Sequence, residues 1–115
     1  TIHGSPHPHQ WLENHGRLAL VDFDRLSLGP IEIDAATFVA ELDFEAGGMP
    51  AESEAFLTAY ARRMQRLDRR LLTVYRAHKH FAKAFKSALS IDPNRETRAE
   101  RILRDALRLL QEGLR

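Results

Sequence analysis

From residue 34 to the C-terminus, apolar side chains return every three or four positions, the spacing of helices that bury one face. Ahead of that stretch the apolar runs are short and broken by Gly, Pro, Asn and Asp, which predicts strands and turns. Asp34 is placed to cap a helix running to about residue 44, with Phe38, Val39 and Leu42 as its apolar stripe and Gly47-Gly48 ending it. Pro50 suits the first turn of a second helix, in which Phe56, Tyr60, Met64 and Leu67 recur at helical spacing. A third helix follows with little break. Leu71, Val74, Tyr75, His78, Phe81, Ala82 and Phe85 share one of its faces and Arg76, Lys79, Lys83 and Lys86 another, an amphipathic helix of about six turns. Asp92-Pro93 opens the last helix, with Ala99, Ile102, Leu103, Ala106, Leu109 and Leu110 inward and Arg101, Arg104 and Arg108 outward.

Residues 1–10 show neither period, and Pro6 and Pro8 rule out a regular helix, so a loop is predicted. Residues 11–13 and 17–24 read as two strands around a turn at 14–16, because Asn and Gly accept the positive φ of tight hairpins. The run at 18–21 is continuously apolar and predicts burial on both faces, and its end delivers Asp22-Phe23-Asp24. A second turn falls at 27–30. The predicted fold is α+β and mostly helical, a single domain with a short β-hairpin packed on about four helices. Its irregular, polar ground lies at the N-terminal end, where chemistry is expected.

The 115 residues match one folding unit, and 43% hydrophobic with 29% charged residues suits a globular chain with a core. No apolar run approaches a membrane span and no signal-like segment opens the chain, so no membrane role is expected. The absence of cysteine removes disulfides and thiolate metal sites and agrees with a cytoplasmic setting. A net charge of +1 does not call for a polyanion. The basic stripes read as solvated faces rather than a nucleic-acid surface, since Glu100 and Asp105 sit at helical spacing from Arg104 and Arg101 and no aromatic residue is interleaved to stack on bases. Taken alone, His3, His7 and His9 could form a zinc or nickel site, although the flanking Pro and Gly scatter their directions. Asp22 and Asp24 are either turn residues or metal ligands, and His78 on the apolar stripe reads as a hydrogen-bonded core histidine.

The stretch His3-Gly4-Ser5-Pro6-His7-Pro8-His9-Gln10, with Asp22 twelve residues after Gln10, resembles the aminoglycoside phosphotransferase and choline kinase-like phosphotransferase family. That family carries a catalytic loop H-G-D-x-x-x-x-N, a hairpin, an aspartate at a strand end, and G-D-P-x-x-D at a helix start. His3-Gly4 matches the opening, Ser5 falls on the catalytic aspartate, Gln10 on the metal-binding asparagine and Asp22 on the metal-binding aspartate. Gly29-Pro30-Ile31-Glu32-Ile33-Asp34 looks like a shortened last motif, and the resemblance gives Asp34 a structural role, capping the helix and tying down the loop.

The resemblance implies a kinase-like C-lobe and, in the intact family, ATP- and Mg-dependent phosphorylation of a small-molecule hydroxyl, with Gln10 and Asp22, and Asp24 as a further candidate, holding the metal. Ser5 cannot act as the general base, a loss of about 10² to 10⁴ in rate, leaving His7 as a conceivable substitute. The three lysines, Lys79, Lys83 and Lys86, all lie on the third helix, so the strand lysine and glycine-rich loop of a nucleotide lobe are missing from this sequence. The expectation is a partial or degenerate phosphotransferase, a pseudoenzyme as this chain alone, binding neither Mg nor ATP in the usual way. The alternative is a non-catalytic binding or scaffold module that docks the missing N-terminal lobe, another chain or a second copy of itself as a homodimer.

Overall fold

The computed structural model describes residues 1–45, 47–64 and 66–115. An antiparallel hairpin, β1 (Trp11–Asn14) and β2 (Arg17–Leu20), precedes four helices: α1 (Ile31–Phe44), α2 (Pro50–Met64), α3 (Arg69–Ala88) and α4 (Arg95–Gly113). The architecture is the α+β, mostly helical one predicted. No described helix is long and apolar enough to cross a membrane.

α1 is the axis of the molecule. Ala35, Ala36, Val39 and Ala40 are wholly buried, and the first three form one cluster with Leu57 of α2 and Leu72 of α3. Small side chains let neighbouring helices approach closely, so burial extends well beyond the stripe of Phe38, Val39 and Leu42. The helix also begins earlier than predicted. Extended Pro30 is its N-cap, and Asp34 lies inside the first turn, which leaves its carboxylate free to act elsewhere. Buried Glu32 accepts from the Asp68 backbone N–H at 2.8 Å and so anchors the link between α2 and α3, with Leu67 lying in that link rather than in α2.

Asp68 caps α3 by accepting from the N–H groups of Arg70 and Leu71. The buried face of α3 is Leu72, Ala77, His80, Ala84 and Ser87. The predicted stripe is only partly inward: Leu71 and Tyr75 are half-buried, with Tyr75 against the central cluster, while Val74, His78, Phe81, Ala82 and Phe85 are exposed. α3 packs against both α1 and α4, and small residues permit the close approach that large ones would block. Ala84 meets Ala99 and Ile102 of α4, and a Cβ on Gly113 would lie 2.6 Å from Thr73. His78 is exposed; the core histidine is His80, 2% exposed, whose Nδ1–H donates to the Arg76 carbonyl at 2.9 Å. α4 buries Ala99, Ile102 and Ala106 as predicted, but it starts two residues after Pro93, and Asp105 pairs with Arg108 at 3.2 Å rather than with Arg101.

The hairpin pairs Trp11 with Leu20 and Asn14 with Arg17. Its two-residue turn has φ of 50° at His15 and 75° at Gly16, both positive as a type I′ turn requires, so His15 rather than Asn14 takes the left-handed position. β2 is not buried on both faces: Leu18 is 68% exposed. Only two strands pair among the described residues, and Trp11 touches the helices edge-on at Phe38, 6.2 Å between centroids. A continuous apolar run cannot distinguish a covered strand from one whose cover is not in the same chain segment.

The phenol of Tyr60 in α2 donates to the Ile31 carbonyl at 3.2 Å. Burial, then the carboxylates of Asp34 and Glu32, push its pKa above the ordinary 10.0. The folded state therefore holds this proton where the unfolded chain releases it, so the contribution is complete below pH 10 and lost as pH rises through the folded value. The wild-type minus Tyr60→Phe difference in absorbance at 295 nm should titrate with a midpoint above 10.0 in the folded protein and return to it in denaturant.

Candidate functional site

The N-terminal loop is laid down by backbone contacts first. Ile2 is buried and exchanges both backbone hydrogen bonds with Ser27, at 2.8 and 3.1 Å. The next two residues are fixed by one carboxylate: the His3 N–H donates to Asp34 Oδ2 at 2.7 Å and the Gly4 N–H to Oδ1 at 2.8 Å. Asp34 occupies the first turn of α1, where the helix dipole favours negative charge, so the loop is tied to the start of the central helix. Gly4 has φ of +89°, and a Cβ there would lie 2.3 Å from the Arg25 carbonyl oxygen, so glycine is required twice over.

The His3 ring is buried, with Nε2 3.0 Å from the Val21 carbonyl, which sets Nε2 as the protonated nitrogen. The ring tilts against Phe23 at 4.6 Å, and buried Nδ1 has no hydrogen-bond partner among the described residues. Ser5 follows Gly4 half-buried, ahead of buried Pro6.

Residues 8–10 form a single 3-10 turn capped by His7. His7 Nδ1 accepts from the His9 N–H at 3.2 Å, and Nε2–H donates to Glu41 on α1 at 3.0 Å, so one neutral tautomer satisfies both bonds. Gln10 links the loop to the strand end: its Oε1 accepts from the His7 N–H and its Nε2 donates to Asp22 Oδ2, both at 2.8 Å. The amide cannot turn over without setting its NH₂ against the His7 N–H. Asp22 itself sits at φ of 67°, a left-handed conformation that aspartate tolerates better than most residues. Asp24 is exposed in the turn closed by the Leu26 N–H on the Phe23 carbonyl, apart from the Gln10–Asp22 contact.

Loop, strand end and helix start thus converge, and His3, Gly4, His7, Gln10, Asp22 and Asp34 become one connected network. The three loop imidazoles point to different partners: His3 to Val21, His7 to Glu41, and exposed His9 to Glu45 at 3.7 Å. Among the described residues no group of three His, Asp or Glu side chains is placed around a common metal position. A hard cation such as Mg²⁺ is held by one or two carboxylates with water and phosphate, and Asp22 fits that part. As placed, Gln10 orients Asp22 and spends its own oxygen on His7.

Lys79 is a neighbour that sequence periodicity missed. It is half-buried on α3, and its pKa is lowered, by burial first and then by the Arg25 guanidinium, while Glu41 and Asp34 oppose the shift. The stripe of Arg76, Lys79 and Lys83 looks solvated when α3 is taken alone. The acids Glu41 and Asp43 on α1 are the signal that it faces inward. Comparison with protein-family models, with curated proteins and with solved structures found no match.

Asp34→Ala should cost about 3 kcal/mol in urea unfolding, because two backbone donors lose a charged acceptor, each such bond being worth roughly 1.5–3 kcal/mol. Gln10→Ala should cost about 1 kcal/mol, since its bonds are partly exposed. Equal losses for the two variants would show that the loop does not hang on Asp34.

Proposed function

We propose that this chain carries the catalytic half of a small-molecule phosphotransferase in degenerate form, inactive in phosphoryl transfer as the chain stands. The observation that supports it is the Gln10–Asp22 contact together with the Asp34 tie to the His3 and Gly4 N–H groups. The positions that the loop motif assigns lie in three separate parts of the chain and are joined by these hydrogen bonds. In this reading Asp22 would hold Mg²⁺, which supplies neutralisation of phosphate charge when bound. His3 and Asp34 hold the loop in position, and Ser5 occupies the place of the base. A serine hydroxyl is not ionised near neutral pH, and both nitrogens of His7 are already engaged, so neither group takes the proton of an acceptor hydroxyl.

A second reading, a non-catalytic docking module, is favoured by exposed apolar side chains on β2 and α3, among them Leu18 and Phe85. The occupant in that reading is another chain or a second copy, and light scattering on the purified chain checks the latter directly.

The purified chain with Mg·ATP and a panel of small hydroxyl acceptors should give no turnover above background, and Asp22→Ala should change nothing. Turnover that disappears in Asp22→Ala would overturn the proposal of inactivity. Ser5→Asp, assayed in parallel in the longest natural polypeptide that contains this chain, should raise turnover if the ancestry is right.

A further inference from the structure

At the opposite end of α1 from Asp34 the chain turns towards α2 and leaves a groove of about 1030 Å³, floored by α1 and α3 and walled by α4. Asp34 and Phe44 are ten residues apart, about 15 Å along the helix axis, so the groove lies away from the Asp34 tie and adjoins the loop through the Glu45–His9 pair. Its floor is a fixed polar cluster. The Arg76 guanidinium grips Asp43 with Nε at 2.7 Å and a terminal nitrogen at 2.5 Å, and the buried His80 ring stands behind it with Nε2 3.4 Å from the same carboxylate. Asp43 is thereby used up, while Arg76 keeps donors on its other terminal nitrogen.

Beside this cluster lies an aromatic platform with a cation on it. Lys83 Nζ stands 5.1 Å from the Phe44 ring centroid, and the edge of His80 supports the same ring at 4.9 Å. Lys83 is half-buried and has no carboxylate within salt-bridge reach among the described residues. On the α4 wall, Arg108 is paired with Asp105 and Arg98 with Asp92, whereas Arg101 has no such pair among the described residues. The remaining acids of the groove, Glu45 and Glu112, are exposed. Lys83 and Arg101 are thus the two lining cations without a paired carboxylate among the described residues, next to Phe44 and Leu109, in a groove whose five cations and four carboxylates leave a net charge of +1.

We propose that this groove binds a phosphate monoester with an aromatic or apolar body. The body lies against Phe44 and the half-buried Leu109, and the dianionic head meets Lys83, Arg101 and the spare donors of Arg76. Lys83, Arg101 and Arg76 line the same groove, and several separate donors suit an anion with three acceptor oxygens better than a carboxylate. A preformed guanidinium held by a partly buried carboxylate loses little freedom on binding. The volume is in the range of small-molecule sites. The inference does not rest on the phosphotransferase reading, because none of these residues belongs to the loop network.

The test is calorimetric titration of the purified chain with phenyl phosphate, inorganic phosphate, benzoate and phenol at low salt. Phenyl phosphate should bind saturably and most tightly, and phenol not at all. Lys83→Gln should weaken phenyl phosphate about tenfold, Glu112→Gln should leave it equal or tighter, and Asp22→Ala should leave it unchanged, with circular dichroism confirming that each variant is folded. No saturable binding, benzoate binding as tightly as phenyl phosphate, or an unaltered affinity in folded Lys83→Gln overturns the proposal. Loss of binding in folded Asp22→Ala would relocate the ligand to the loop and overturn it equally.

Discussion

Close packing around α1 sets the positions of everything else in this molecule. Because Ala35, Ala36 and Ala40 project so little from the helix, α2 and α3 approach it closely, and α1 becomes a buried rod with one hydrogen-bonded carboxylate near each end. Asp34 in its first turn organises the N-terminal loop, and Asp43 in its last turn organises the floor of the groove. Enlarging the alanines would displace both ends together, since a packed interior has no slack in which to absorb a methylene.

The two ends differ in how they are built. The loop is held by backbone donors on side-chain acceptors, a geometry that fixes chain path and needs little burial. The groove is held by a two-pronged Arg76–Asp43 pair with low exposure on both sides, where each charge depends on the other to be tolerated. That distinction bears on their chemistry. At the loop the polar atoms are largely spent on one another, as Gln10 shows by using both ends of its amide. At the groove the cations outnumber the carboxylates that reach them.

Local signals in the sequence were sufficient wherever a residue's own conformational preference decides the outcome. The hairpin turn, the breaks at Gly47-Gly48 and Pro50, the Asp92 segment and the four helices follow from φ restrictions, capping and period. For the tie between Asp34 and the loop the residues themselves carried no signal; it was only what the family resemblance implied. Orientation was not legible. On α3 the period predicts a face, but Val74, Phe81 and Phe85 compete with Ala77, His80 and Ala84 for it, and large apolar residues win any count of hydrophobicity. In the folded chain, the close approach of α1 and α4 selects the small residues, and the same rotation brings His80 rather than His78 into the core and leaves Lys79 half-buried.

What the sequence determined by itself is the order, type and approximate limits of the elements, and the presence of a His-Gly-Ser loop with Gln10, Asp22 and Asp34 at suggestive spacing. These depend on interactions a few residues long. Only the tertiary structure decided which side of α3 is buried, that Asp34 serves the loop instead of capping its helix, and that Asp43, Arg76 and Lys83 share a groove. Each of these joins groups 30 or more residues apart or depends on which of two competing faces packs more closely, and that is settled by shape and close approach, which a linear period does not record.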